Sequence, residues 1–243
     1  MRRVVLASDF HLSPDQPAVI DVFVRFVREV VSGADRFYVL GDLFEFWIGR
    51  RQLGVEGYEP VWDALSTLSA TGTEVVMFHG NRDFLLGAPE AKRSGGRVTG
   101  EEEPAELFDR RYLLLHGDSL CTRDQKYQDS KPLLRGWIPK FLSWALPRPA
   151  ALAVARRVRK TSTKSVGARP REEMEIVGEA VRERFLEGYD SLICGHVHAP
   201  GEREYGEEGG APAPVLVLGD WSESGGVYGE IDASGPRLIT FRS

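Results

Sequence analysis

Five apolar runs in this chain each end in side chains that can bind a metal ion or an anion. Val4 to Ser8 runs into Asp9-Phe10-His11, and Arg36 to Leu40 runs into Gly41-Asp42. Glu74 to Phe78 runs into His79-Gly80-Asn81-Arg82-Asp83, and Tyr112 to Leu115 into His116-Gly117-Asp118. Ser191 to Cys194 runs into Gly195-His196-Val197-His198. Taken singly, each has an ordinary reading. An aspartate after glycine suits a turn, and a lone histidine is usually a surface or core residue, which is the reading for His79. The repetition is harder to explain that way, because four of the five histidines follow strand-like runs. Ligands of open α/β sheets bind beyond the carboxyl ends of the strands. The pattern therefore predicts one site assembled at one edge of the fold.

The residue types specify its chemistry. Asp9, His11, Asp42, Asn81, His116, His196 and His198 are the candidate metal ligands. Imidazole, carboxylate and amide oxygen suit Mn, Fe or Zn, with no preference for a thiolate metal. One ion rarely takes seven such ligands, whereas two ions about 3.5–4 Å apart do so by sharing a carboxylate. Asp42, alone on its loop, is the expected shared ligand. Such a pair holds phosphoryl oxygens and makes water more acidic. Asp42, Asn81, Arg82 and His116 are the catalytic candidates.

The elements that position these residues follow from periodicity. Residues 4–8 read as a buried strand. Val19, Ile20, Phe23, Val24, Val27, Val30 and Val31 make one stripe of a helix over 18–32, stopped by Gly33. With a strand at 36–40 this is a βαβ unit, for which a right-handed parallel crossover is expected. A helix over 59–71 precedes a strand at 74–78. Thr99 to Pro104 reads as an acidic turn, and Leu107 to Leu115 as a hairpin about Asp109-Arg110. A helix over 171–187 turns Met174, Val177, Val181 and Phe185 inward, and a strand at 191–194 follows. Residues 201–214 read as an exposed hairpin loop. Strands near 215–218, 227–231 and 237–241 read as antiparallel. Phe46, Trp47 and Ile48 form either a packed loop corner or a wall of the substrate pocket.

Between Lys131 and Arg171 the composition changes. There are eleven basic residues and no Asp or Glu, and the whole chain carries −5, so the remainder carries −16. Leu133, Trp137, Phe141 and Trp144 are interleaved with the charges, and Pro139, Pro147 and Pro149 break the stretch into short helices. This divides the chain into a core, 1–121 and 172–243, and an inserted helical cap, 122–171. The cap is either a helical hairpin with a solvated basic face or an apolar groove with a cationic rim. The second form suits an anionic lipid or the surface of an anionic bilayer. No nucleic-acid reader motif accompanies the charge, so nucleic acid is not the expected partner.

No stretch approaches the roughly 18–20 apolar residues that span a bilayer, and the N-terminus lacks the pattern of a signal peptide. Cys121 and Cys194 give neither a zinc-ligand spacing nor a disulfide framework and suit a reducing cytoplasm. The expected location is cytoplasmic, with any membrane contact peripheral.

Asp9-x-His11, Gly41-Asp42, Gly80-Asn81-Arg82-Asp83, His116-Gly117-Asp118 and Gly195-His196-Val197-His198 resemble, in order, the motif set of the calcineurin-like metallophosphoesterases. The resemblance implies a four-layer α/β/β/α sandwich and a dinuclear phosphohydrolase, usually supported by manganese. It implies that Asp9, His11 and His198 join Asp42 at one ion, and that Asn81, His116 and His196 join it at the other. The stretches Leu40 to Gly49, His79 to Gly87, His116 to Thr122, Tyr127-Gln128 and Leu218 to Trp221 are further similar to the pyrophosphatase branch of lipid A biosynthesis. That branch implies cleavage of UDP-2,3-diacylglucosamine to lipid X and UMP, beneath a helical cap that holds acyl chains. The substrate-contact candidates are Asn81, Arg82, Asp124, Tyr127, Lys131, Arg159, Ser162, Lys164 and His196.

Arg82 agrees with this on chemical grounds. A guanidinium stays protonated and is a poor acid, but expelling a phosphate needs little protonation, and arginine clamps phosphate oxygens well. The chain departs from the branch at Arg50-Arg51, Arg123, Lys131 and Ala199, positions that concern head group and acyl chains rather than metal. The alternatives are a hydrolase of another nucleotide diphosphate conjugate or phosphodiester, a non-catalytic scaffold, and a protein with a closed structural metal site. The last two fit a full set of seven ligands around open ions poorly.

Overall fold

Every residue of Val4–Ala7 (β1) is buried, and a strand apolar on both faces needs cover on both. The computed structural model, which describes residues 2–125, 128, 129, 131, 136, 175–206 and 212–243, shows that cover. β1 pairs in parallel with β2 (Arg36–Val39), β2 with β3 (Glu74–Met77), and β3 with the short β4 (Arg97–Val98). On its other side β1 is antiparallel to β11 (Gly225–Asp232), which also pairs with β10 (Gly219–Ser222) and β12 (Gly235–Arg242). The second sheet runs β5 (Glu102–Leu107), β6 (Arg110–Leu115), β7 (Ser191–Cys194), β9 (Pro214–Val217), β8 (Gly201–Glu204). Its central strands β6, β7 and β9 are parallel.

Alternation along the strands builds the layers. Val5, Ala7, Phe37, Val39, Val75 and Met77 pack against α1 (Pro17–Phe26) and α2 (Glu59–Ala70). Their neighbours Val4, Leu6, Tyr38, Leu40, Val76 and Phe78 meet Leu114, Ile193 and Leu216 of the second sheet. The far face of that sheet, including Leu113, Leu192 and Val215, packs on Val181 of the helix Gly178–Phe185. The order is helix, sheet, sheet, helix, as the four-layer expectation requires.

Several local expectations change. The helix after β1 continues from Phe26 as a π-helical turn over Val27–Val31. The second half of the acidic stretch expected as a turn, Glu102 to Pro104, belongs to β5, an edge strand. Its Ala105 and Leu107 point inward while Glu102, Pro104 and Glu106 are exposed. The β5–β6 hairpin turns at Phe108-Asp109, both with positive φ, as a tight turn between twisted strands demands. Among the described residues the helix expected over 171–187 begins only at Gly178, and Val177 is extended. Met174 lies outside the described residues. β9 is parallel to β7, not antiparallel, and antiparallel to β8. Trp47 is fully buried, stacked on Phe44 at 4.4 Å, with its Nε1–H donating to Glu90 Oε1. It is a packed corner, not a pocket wall. No helix of the described residues is long and apolar enough to cross a membrane.

Candidate metal centre

The strands β1, β2, β3, β6 and β7 all deliver their carboxyl ends to one edge, and loops of the two sheets touch there. The His196 backbone N–H donates to Asp9 Oδ2 at 2.8 Å, and His116 Nδ1–H donates to the Leu40 carbonyl at 2.9 Å. Phe10 anchors the first loop. It is buried 4.4 Å from Trp221 and 4.9 Å from Phe23, and burial of such a ring stabilises by about 2–3 kcal/mol.

The backbone at these strand ends is unusual. Asp9, His11, Asp42, His196 and His198 all have positive φ. The only other described non-glycine residues with positive φ are Phe108 and Asp109 of the hairpin turn. A left-handed non-glycine residue costs roughly 1–3 kcal/mol and persists where its surroundings over-determine it. Five of the seven expected ligands are held this way, a concentration that secondary structure alone does not explain.

Two groups of ligand atoms result. Asp9, His11 and His198 form one, and Asp9, Asp42 and His116 the other. In the first, the Nε2 atoms of His11 and His198 are 3.3 Å apart, and His11 Nε2 is 4.0 Å from Asp9 Oδ1. The shared member is Asp9, where the sequence led us to expect Asp42. Asp42 nonetheless touches both groups: its Oδ2 is 3.9 Å from His11 Nδ1 and 3.8 Å from His116 Nε2. His196 lies beside the second group, its ring edge-on to His116 with centroids 5.0 Å apart. Asn81 reaches into it. The amide atom facing the centre is 2.6 Å from Asp42 Oδ2 and 3.3 Å from His116 Nε2.

The unsatisfied groups fit divalent ions. Asp9 Oδ1 and His11 Nδ1 are buried with no hydrogen-bond partner, and buried polar atoms left so need an explanation. The inward atom of Asn81 faces acceptors only, so it is the amide nitrogen without a cation and the oxygen with one among them. Burial raises the Asp42 pKa against the pull of His116, and nearby Asp9 raises it further. Burial opposes charge on His116, but Asp42, Asp9 and Asp118 outweigh it and push its pKa up to about 9. Burial and the neighbouring His116 push His196 down to about 3. Burial, then Arg82, holds His11 well below its ordinary value. His11 and His196 are thus held neutral, the form in which imidazole binds a metal, and on His116 a divalent cation would have to replace the proton that the carboxylates hold there.

Other residues brace the ligands. Asp83 accepts backbone N–H bonds from Gly80, Asp42, Leu43 and Phe44, tying the second and third loops together. Burial, then Asp42, raises its pKa to about 6. His198 Nδ1–H donates to Asp220 Oδ1 at 3.1 Å, which leaves Nε2 to the site. Arg82 donates its backbone N–H to Asp42 Oδ1, and its Nη1 is 2.8 Å from Glu45 Oε1. Asp83 and Asp220 lie in motifs visible in the sequence, but nothing there showed what they hold. Glu45 likewise lies in the stretch Leu40 to Gly49, with nothing there to show that it holds Arg82.

The expected substrate contacts divide. Arg82, Asn81 and His196 lie at the centre. Lys131 is committed to Glu101 at 2.5 Å and Asp118 at 3.1 Å. Asp124 is buried, its carbonyl accepting the Gln128 N–H. Tyr127, Arg159, Ser162 and Lys164 lie outside the described residues, as does most of 122–171. His79 is not at the centre, and its Nε2 bonds the Leu86 carbonyl at 2.9 Å.

Two glycines make this closeness possible. A Cβ on Gly80 would meet Asp42 Oδ1 at 2.1 Å, and one on Gly195 would meet Asp9 Oδ2 at 2.2 Å and Ser8 Oγ at 2.1 Å. Gly195→Ala must displace Asp9 and is expected to weaken metal binding by about 10- to 100-fold. Calorimetric titration of metal-stripped protein checks this, and unchanged affinity would refute the packing argument.

The family model of the calcineurin-like phosphoesterases matches residues 2–200. The chain belongs to that family. A Stenotrophomonas maltophilia protein named UDP-2,3-diacylglucosamine hydrolase is 38% identical, over 96% of this chain and 96% of its own. The Aeromonas hydrophila protein of that name is 39% identical, over 90% of this chain and 91% of its own. The one from Pseudomonas aeruginosa is 34% identical over 98% of both. For this calcineurin-like phosphoesterase the family implies divalent metal ions, and the strand-end cluster is a possible site for them.

Proposed function

We propose that this chain is a two-metal hydrolase that cleaves the diphosphate of UDP-2,3-diacylglucosamine, releasing UMP and lipid X for lipid A synthesis. The observation that carries the reading is a guanidinium, Arg82, fixed beside the ligand cluster where an acid would serve an alkoxide leaving group. The name shared by relatives matched over nearly their whole length supplies the substrate.

Asp9, His11, Asp42 and His198 would hold one ion, and Asp42, Asn81, His116 and His196 the other. When bound, the pair supplies Lewis acidity and a more acidic water. Manganese is the proposed metal, given nitrogen and oxygen donors with no thiolate. Asp42, within 4 Å of His11 and His116, would serve both ions. Arg82 holds diphosphate oxygens in line and offsets charge that grows on the leaving phosphate. No proton need reach that leaving group, so the site requires no general acid. The basic, apolar stretch 131–171 is proposed as a cap over the acyl chains, with peripheral contact at an anionic membrane surface.

The test is turnover of manganese-loaded protein on UDP-2,3-diacylglucosamine in mixed micelles, beside UDP-N-acetylglucosamine and a soluble aryl phosphodiester. UMP release confined to the diacyl substrate is expected. Cleavage of the soluble compounds alone would overturn the lipid assignment and leave a metallophosphoesterase of another phosphodiester or nucleotide conjugate.

A further inference from the structure

Arg82 has little freedom in its backbone. Its N–H donates to Asp42 Oδ1 at 2.9 Å, and its carbonyl accepts the Trp47 N–H at 3.0 Å. The side chain therefore starts beside Asp42 and lies between two carboxylates. Nη1 is 2.8 Å from Glu45 Oε1, while Nε is 3.6 Å from Asp42 Oδ2. Glu45 is itself anchored to the first loop. Its N–H donates to the Leu12 carbonyl at 3.0 Å, beside the parallel bridge of Leu12 with Phe44. Its second oxygen, Oε2, lies 3.9 Å from His11 Nδ1. Glu45 so spans the gap between Arg82 and His11, and all three side chains are partly exposed.

A guanidinium seated directly on Asp42 would neutralise the carboxylate that both ions need, because opposite charges attract more strongly as they close. We infer that Glu45 is a positioning residue: it draws the Arg82 guanidinium away from Asp42, leaving that carboxylate to the metals and the arginine to the diphosphate. The inference rests on the two-metal reading. Glu45 touches neither phosphate nor the reacting atoms in this role, and acts through Arg82 and Asp42.

Manganese titration of metal-stripped protein by calorimetry, with circular dichroism as the check on folding, tests it without turnover. The wild-type protein should bind two ions, and fewer would overturn the two-metal reading and this inference with it. Given two ions, Glu45→Ala should weaken binding by about tenfold or more. Arg82→Ala added to Glu45→Ala should restore affinity to within about threefold of Arg82→Ala alone, since no guanidinium remains to occupy Asp42. Glu45→Gln keeps an oxygen for Arg82 and drops the charge, so it should retain most of the affinity. Wild-type affinity in Glu45→Ala, or no restoration in the double variant, would overturn the positioning role. So would a loss in Glu45→Gln equal to that in Glu45→Ala, which would mean that charge alone is responsible. If Glu45→Ala does not fold, Glu45→Gln decides: near wild-type affinity supports the role, and a tenfold loss ends it.

Discussion

Asp42→Asn is expected to lower kcat/KM by roughly 10³-fold or more, several kcal/mol of transition-state stabilisation, and to leave the fold intact. Asparagine is nearly isosteric and keeps an oxygen for the Arg82 backbone N–H, which now bonds Asp42 Oδ1. What it removes is, among the described residues, the one charge within 4 Å of both His11 and His116. A second readout comes from heat. An ion present at about a hundred times its Kd stabilises the folded state by about 2.7 kcal/mol. For a chain of this size that corresponds to roughly 5–10 °C in Tm. Wild-type protein should show such a rise with manganese, Asp42→Asn should show little of it, and chelation should reverse it. Activity within tenfold of wild type, or an undiminished thermal shift, would remove Asp42 from the centre of the site.

Arg82→His separates two leaving-group chemistries. Loss of the guanidinium should cost about 10²- to 10³-fold in cleavage of the diphosphate substrate, the scale of a charged hydrogen-bond donor acting on developing charge. Imidazole can donate a proton near neutrality, so turnover of 4-nitrophenyl phosphate and of alkyl monoesters should hold steady or rise. The ratio of the two activities is the informative quantity, because a merely misfolded variant loses both. Diphosphate cleavage at the wild-type rate would show that Arg82 does not clamp the substrate. The same assay on Arg82→Lys is a useful control, since lysine keeps the charge without the planar fork.

The strands that carry the site were legible because each is a short, mostly apolar run followed closely by a glycine or a small polar residue. Val4–Ala7, Arg36–Val39 and Ser191–Cys194 lie within a residue of expectation. The edges were not legible. Glu102–Leu107 hides its strand behind three glutamates and a proline, and only Ala105 and Leu107 reach the core. The parallel pairing of β9 with β7 depends on how the chain crosses between layers, which local pattern does not encode. The site divides likewise. Residues that would touch the ions announce themselves by type and position. Glu45, Asp83 and Asp220 act by holding another side chain or loop, and that partnership exists only after folding.

The place of β1 in its sheet has a consequence for how the protein is made. One neighbour, β2, follows within a few tens of residues, but the other is β11, where Val4 faces Ile231. Gly219 also closes on the Asp9 side chain, and Trp221 on Phe10. The first ligand to leave the ribosome thus waits for nearly the last strand. Until then β1 offers an unpaired apolar edge, the kind of surface on which nascent chains stick to one another. A chain cut short before β10 would carry all seven proposed ligands and still lack the wall against which Asp9 and Phe10 are set.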